Sequence, residues 1–170
     1  MEDVQDLTIR LARSADLAEL DQLFARSYPA LLKGDYPPSV LVTALPLISR
    51  ANPRLLGSGS YYVAMLEGQI VSAGGWTWAG PQGGASPITM AHVRHVVTCV
   101  DHVRRGIGRK LMSHAISQAT RAGARTLRCQ STRTAVPFYH ALGFRPLGEV
   151  EVQLAPGISF PAIDMQRLGP

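Results

Sequence analysis

The sequence predicts an α/β (α+β) protein: one domain built on a mixed sheet of about seven strands with helices packed on it. Three observations carry that expectation. A chain of 170 residues is long enough for one domain with a real core and too short for two. Seven strand-like apolar runs and four helical periodicities follow one another in the order β, α, α, three strands, α, β, α, β, β. No internal repeat, linker or low-complexity stretch interrupts them.

Thr8-Ile9-Arg10-Leu11-Ala12 alternates and reads as the first strand. Ser14 or Asp16 is placed to cap the next helix, whose Leu17, Leu20, Leu23 and Phe24 recur at helical spacing until it fades near Tyr28-Pro29. Asp35-Tyr36-Pro37-Pro38-Ser39 breaks the chain, and Ser39 is placed to cap a second helix through Val40, Leu41, Ala44, Leu45 and Ile48. Asn52-Pro53 and Gly57-Ser58-Gly59-Ser60 mark a loop. Tyr61 to Leu66 and Gln69 to Trp78 flank a tight Glu67-Gly68 turn and predict a hairpin. Within it, Gly74-Gly75 implies a bulge or a close backbone neighbour. Gly80 to Pro87 reads as a mobile loop and Thr89 to Thr98 as a strand. A helix follows from about Gly106 to Ala122, with Ile107, Leu111, Met112, Ala115, Ile116 and Ala119 on one face and Gly123 ending it. Arg125 to Gln130 is a further strand. Thr134 is placed to cap a short helix, Ala135 to Leu142, closed by Gly143, and Phe144 to Leu154 and Ile158 to Leu168 read as two last strands.

Composition narrows the function classes. No apolar run approaches the roughly 18 residues of a membrane span, and the start, Met1-Glu2-Asp3-Val4-Gln5-Asp6, is acidic, unlike a signal peptide. Cys99 and Cys129 sit in apolar strand-like runs and read as reduced core thiols, as expected of a cytoplasmic protein. The net charge of +5 is almost wholly arginine, since Lys33 and Lys110 are the only lysines. With a sequence pI of 9.7 it suits some polyanion. The arginines are scattered without interleaved aromatics, which disfavours nucleic acid and favours a local phosphate site.

That site is readable in one stretch. The apolar run Val96-Val97-Thr98-Cys99-Val100 passes through a basic loop with two glycines into a helix. A helix start leaves backbone N–H groups unpaired and carries partial positive charge, so it is a ready anion site. Arg104, Arg105 and Arg109 add full charges around Gly106, Ile107 and Gly108. Rival phosphate motifs fail: the third glycine of a dinucleotide fingerprint is absent, as is Gly-x-x-x-x-Gly-Lys-Ser/Thr. No Cys/His cluster has zinc spacing, and no Gly-x-Ser-x-Gly elbow exists.

Val103-Arg104-Arg105-Gly106-Ile107-Gly108-Arg109, with Ala135-Val136-Pro137-Phe138-Tyr139-His140-Ala141-Leu142-Gly143-Phe144, resembles the GNAT superfamily of acyl-CoA-dependent N-acyltransferases. The order of elements from Thr8 to Leu168 matches as well. The resemblance implies a single N-acetyltransferase domain over residues 1–170, on a mostly antiparallel central sheet with helices on both faces. It implies acetyl-CoA as co-substrate, with no metal. The pantetheine arm would pair with backbone at Val96, Val97 and Thr98, and the pyrophosphate would rest on the N–H groups from Arg104 to Arg109. Thr134 and Tyr139 would complete the cofactor site. The family's first loop position is usually arginine or glutamine, and Val103 stands there, with Arg104 or Arg105 to compensate.

By the same resemblance Tyr139 is the general acid, protonated at neutral pH with an ordinary pKa of about 10 against about 8.5 for a thiol. The base stays open. Between Gly68 and Gly148 the only carboxylate is Asp101, beside the phosphate loop. Where some family members carry glutamate this chain has Gln130, which can position an amine or a water. His92 and His95 titrate in the right range but, three apart on a strand, should point to opposite faces. His95 is the candidate carried forward, beside a water chain from bulk solvent. Trp76 reads as core, and Trp78, next to the Gly80 to Pro87 loop, as a wall of the acceptor pocket, with Tyr28 and Tyr36 on the other side. The expected partner is a small-molecule or peptide amine, with no membrane, and the protein a monomer or homodimer. The rival from another class is a module of the same fold that binds acyl-CoA without turnover.

Overall fold

The computed structural model describes residues 6–83 and 86–169; the acidic start over residues 1–5 and positions 84 and 85 of the glycine/proline loop lie outside them. Seven strands form one sheet: β1 (Thr8–Leu11), β2 (Tyr61–Leu66), β3 (Gln69–Thr77), β4 (Met90–Thr98), β5 (Thr126–Ser131), β6 (Arg145–Ala155) and β7 (Ile158–Leu168). Their order is β1-β2-β3-β4-β5-β7-β6. Every pairing is antiparallel except β4 with β5. The helices are α1 (Leu17–Leu32), α2 (Pro38–Ile48), the single turn α3 (Pro53–Leu56), α4 (Ile107–Arg121) and α5 (Val136–Ala141).

The central strands are buried on both faces, which is why β2 and β3 read as continuous apolar runs. The Tyr62 ring meets His114 of α4 edge-on at 5.0 Å, so α4 covers one face. Tyr61, one residue earlier, points to the opposite face, where α1 and α2 lie, and donates to the His95 carbonyl at 2.6 Å. On α4 the buried residues Ile107, Leu111, Met112, Ala115, Ile116 and Ala119 form the predicted stripe. Each large one contributes roughly 1.5–3 kcal/mol by leaving water. Gly74 and Gly75 serve as read: a Cβ on Gly74 would sit 2.9 Å from Met112 Sδ, and one on Gly75 2.2 Å from the Ser60 carbonyl oxygen.

Several local expectations are corrected. α1 does not fade at Pro29 but runs through it to Leu32. Pro29 only removes one bond, to the carbonyl of Ala25, and buried Leu32 holds the last turn in the core. Neither Ser14 nor Asp16 caps α1 through its side chain. Asp16 instead takes both outer nitrogens of Arg10 at 2.9 Å and the Arg13 N–H at 2.7 Å, and Arg10 holds its carboxyl below the ordinary range. Ser39 lies inside α2, which opens on Pro38 with Pro37 as its cap, since proline suits a first turn. The stretch at Asn52-Pro53 holds a helical turn, with the Asn52 side chain accepting from Arg54 N–H. Cys99 and Cys129 are free and buried.

Candidate active site

α4 begins at a loop whose backbone turns twice through the left-handed region, at Arg104 (φ 64°) and Gly106 (φ 78°). Around Gly106 the space is open where a Cβ would stand. The first backbone bond of the helix is Lys110 N–H to the Gly106 carbonyl at 3.0 Å. The N–H groups of Ile107, Gly108 and Arg109 therefore have no backbone acceptor among the described residues. Gly108 works differently: its Cβ would meet Thr98 Oγ1 at 2.7 Å and Phe138 Cε2 at 3.3 Å, so glycine lets α4 press against β4 and α5. Arg104 and Arg109 are exposed and Arg105 is half-buried, donating to His102 Nδ1 at 2.9 Å. Val103 is exposed, and the loop's charge comes from the arginines after it.

β4 and β5 pair only from Met90 to His92, against Thr126 to Arg128, and then part. Beyond His92 one edge of β4, including Val96, Val97 and Thr98, has no neighbouring strand among the described residues. β4 also carries a bulge: Ala73 pairs Val97 and Gly75 pairs Arg94, so two residues of β4, His95 and Val96, oppose Gly74 alone. His95 takes φ 47° there. Its carbonyl accepts from Tyr61, the Val96 carbonyl accepts from Tyr28 at 3.1 Å, and the Val97 carbonyl from Ser72 at 2.9 Å.

The bulge overturns the expectation that His92 and His95 face opposite ways. Alternation puts His92 with Arg94 and Gly75 on the face away from α4, and the extra residue returns His95 to that face. His95 packs at 4.2 Å on Phe24 and at 5.9 Å on Tyr28, and its Nε2–H donates to the Ile48 carbonyl at 2.8 Å. Burial lowers its pKa. It does not line the cavity beside the parted strands; His92 does.

That cavity holds about 390 Å³ beneath the β3–β4 loop. Its walls include Gln82, Ser86, His92, Arg128, Gln130 and Asp164, and it reaches Cys129. Ser86 Oγ lies 2.9 Å from His92 Nε2. Burial first, then the nearby Arg128 and Arg94, lowers the His92 pKa and keeps the ring neutral near neutral pH. Gln82 and Gln130 exchange two amide hydrogen bonds, 3.0 and 3.1 Å, across the mouth. Burial raises the Cys129 thiol pKa, as in an inert core cysteine. Sequence reasoning missed Ser86, Arg128 and Asp164, because no short motif joins them; strand pairing brings Arg128 and Asp164 to His92, and the β3–β4 loop folds Ser86 back onto it.

Tyr139 is buried on α5, 5.4 Å from Phe144. The Leu142-Gly143-Phe144 segment explains its setting. Gly143 takes φ 93°, and the Phe144 N–H returns to the Tyr139 carbonyl at 3.0 Å, which ends α5 and lays the phenylalanine against the tyrosine. Burial raises the Tyr139 pKa well above its ordinary value, so the phenol keeps its proton, and Cys129, Tyr28 and Tyr61 are close enough to act on it electrostatically.

Other expected site residues lie elsewhere. Thr134 does not cap α5: its hydroxyl donates to Asp35 at 2.7 Å, and Thr132 Oγ1 accepts the Ala135 N–H instead. Trp76 shares the α4 face with Gly74 and Tyr62, and Trp78 stacks edge-on against it at 5.2 Å, 40% exposed and outside the cavity. Tyr28 is buried with its hydroxyl on β4, also outside the cavity. Tyr36 ties the α1–α2 loop to Pro161 and Arg133. Asp101 pairs with Arg26 at the surface. No helix among the described residues is long and apolar enough to cross a membrane.

Comparison with known proteins agrees with this geometry. Residues 57–146 match the family model described as an acetyltransferase (GNAT) domain. A GCN5-related N-acetyltransferase from Rhodopseudomonas palustris superposes with a TM-score of 0.75 at 18% identity, over 95% of this chain and 94% of that one. The PaiA N-acetyltransferase of Thermoplasma acidophilum, solved with coenzyme A, gives 0.70 at 14% identity over 95% and 98%. YncA, a putative acetyltransferase of Salmonella typhimurium solved with acetyl-CoA, gives 0.65 at 19% over 95% and 93%. No curated protein sequence matches. With the family model covering more than half of the chain, and the parted strands and open helix start in the matched region, the protein belongs to the GNAT acetyltransferase family.

Proposed function

We propose that the protein transfers the acetyl group of acetyl-CoA to a primary amine by direct attack. One observation carries this reading: a helix start with free N–H groups lies beside a strand that loses its neighbour at His92. The first suits a pyrophosphate and the second an extended pantetheine arm, and two structural neighbours were solved with coenzyme A or acetyl-CoA. The loop from Arg104 to Arg109 would hold the diphosphate through backbone donors, with the arginine charges around it. The open edge at Val96, Val97 and Thr98 would hold the arm.

Acetyl transfer needs a neutral amine, stabilisation of the tetrahedral intermediate and a proton for the leaving thiolate. Tyr139 is the acid in this reading: a phenol kept protonated by burial can hydrogen-bond the sulfur as the C–S bond breaks and yield its proton. His92 is a better base than His95, because it lines the cavity, whereas His95 is packed under α1 and bonded to Ile48. A thiol-release assay over a panel of amines tests the proposal. Acetyl-CoA binding without thiol release from any amine would leave a module that holds the cofactor without turnover.

A further inference from the structure

Arg128 lines the cavity, and its guanidinium is fixed on two sides: Nη1 donates to Asp164 Oδ2 at 2.7 Å and Nε to Gln166 Oε1 at 2.8 Å. Nη2 has no partner among the described residues. A planar guanidinium held by neighbours is suited to a carboxylate, because little side-chain freedom remains to be lost on binding. Arg128 is also the register partner of His92 on the adjacent parallel strand, and Ser86 sits at His92 Nε2. One cavity wall therefore places a guanidinium fixed by Asp164 and Gln166 beside the His92 ring and the Ser86 hydroxyl.

We infer that the acceptor is a small zwitterion, an amine with a carboxylate one or two carbons away, as in a free α-amino acid. The carboxylate rests on Arg128 and the amine lies at Ser86 and His92. Asp164, the one carboxylate among the described lining residues, and Arg128 balance each other in charge, so the wall offers a carboxylate the remaining Nη2 donor and offers a polycationic amine no surplus negative charge. Gln82 and Gln130 roof the mouth with neutral amides. The volume suits a small molecule.

The inference rests on the acetyl-transfer reading, and the experiment separates the two. Thiol release is measured for amino acids and their carboxamides, matched in side chain and compared per unprotonated amine, with simple polyamines alongside. The expected result is a kcat/KM about 10-fold or more higher for the carboxylates, as for a charge-assisted contact. Arg128→Gln should erase that preference, read as the ratio of kcat/KM for each amino acid to that for its carboxamide, and Arg128→Lys should keep part of it. Thermal melts confirm that each variant folds; should Arg128→Gln not fold, the preference of Arg128→Lys against the parent decides. Carboxamides or polyamines used as well as amino acids would overturn the inference and leave acetyl transfer standing. Acetyl-CoA binding with no thiol release from any amine would overturn acetyl transfer, and this inference with it.

Discussion

The two faces of the sheet where β4 and β5 part are built on different principles. The α4–α5 face relies on backbone: free N–H groups, an open strand edge, and glycines at 106 and 108 that give access and close packing. The opposite face relies on side chains from separate elements, with Ser86 and Gln82 on a loop, His92 on β4, Arg128 and Gln130 on β5 and Asp164 on β7. Backbone recognition imposes glycine and helix-start rules on neighbouring residues, so it leaves a motif. Side-chain recognition leaves none, because residues such as His92 and Asp164 meet only after folding.

The largest effect should come from filling the backbone site. Gly108→Val puts carbon into Thr98 and Phe138, so acetyl-CoA binding measured by calorimetry should be lost and unfolding stability should fall by about 1–3 kcal/mol. Undiminished affinity would remove the loop from the donor site. Next, Tyr139→Phe should lower kcat about 100-fold with little change in the acetyl-CoA KM. Equal loss in both would make Tyr139 a packing residue.

On the side-chain face, His92→Gln should lower kcat/KM by about 10-fold or more, since general-base contributions begin near 100-fold and water can partly substitute. In the parent, kcat/KM per unprotonated amine should rise with pH through the lowered His92 pKa and level off above it, since the base must be neutral and its pKa lies below about 6.5. His95→Gln should leave that limb in place. If His95→Gln removes the limb, the two histidines exchange roles.

The smallest effects concern acids away from the cavity. Asp16→Asn should cost about 1–2 kcal/mol at neutral pH, as for loss of a charged hydrogen bond. The Asp16 pKa is lowered in the folded state, so its stabilisation is present above the unfolded value of about 3.9 and is lost as pH falls through the lowered one. Denaturant melts between neutral pH and pH 3 would show this. Asp101→Asn should change stability by less than about 1 kcal/mol and kcat hardly at all, because Asp101 is exposed and paired with Arg26. A large kcat loss would make it the base after all.

Periodicity located every strand and nearly every helix, since alternation and the stripe of α4 depend on neighbours in sequence. It failed where a tertiary contact outweighed a local preference. The core anchor at Leu32 outweighed Pro29, and Asp35 drew Thr134 away from its cap. The loop and helix start proposed for the donor were legible from Gly106 and Gly108, and the proposed acid from the run Tyr139 to Phe144. Of the expected substrate contacts, Gln130 lines the cavity proposed for the acceptor, while Trp78 and Tyr28 do not. The bulge at His95 defeated face counting, because one added residue reverses the parity of everything beyond it.

That added residue also limits how β4 can change. Before it the strand is in phase with Arg94 and Gly75, and after it with Val97 and Ala73. Deleting one residue between them would force one half to turn over, either burying the polar row that begins at His92 or exposing Val97. Single substitutions can alter either half separately, but a change in length alters both. In this strand, residue count is as constrained as residue identity, and the histidine at its centre marks the join.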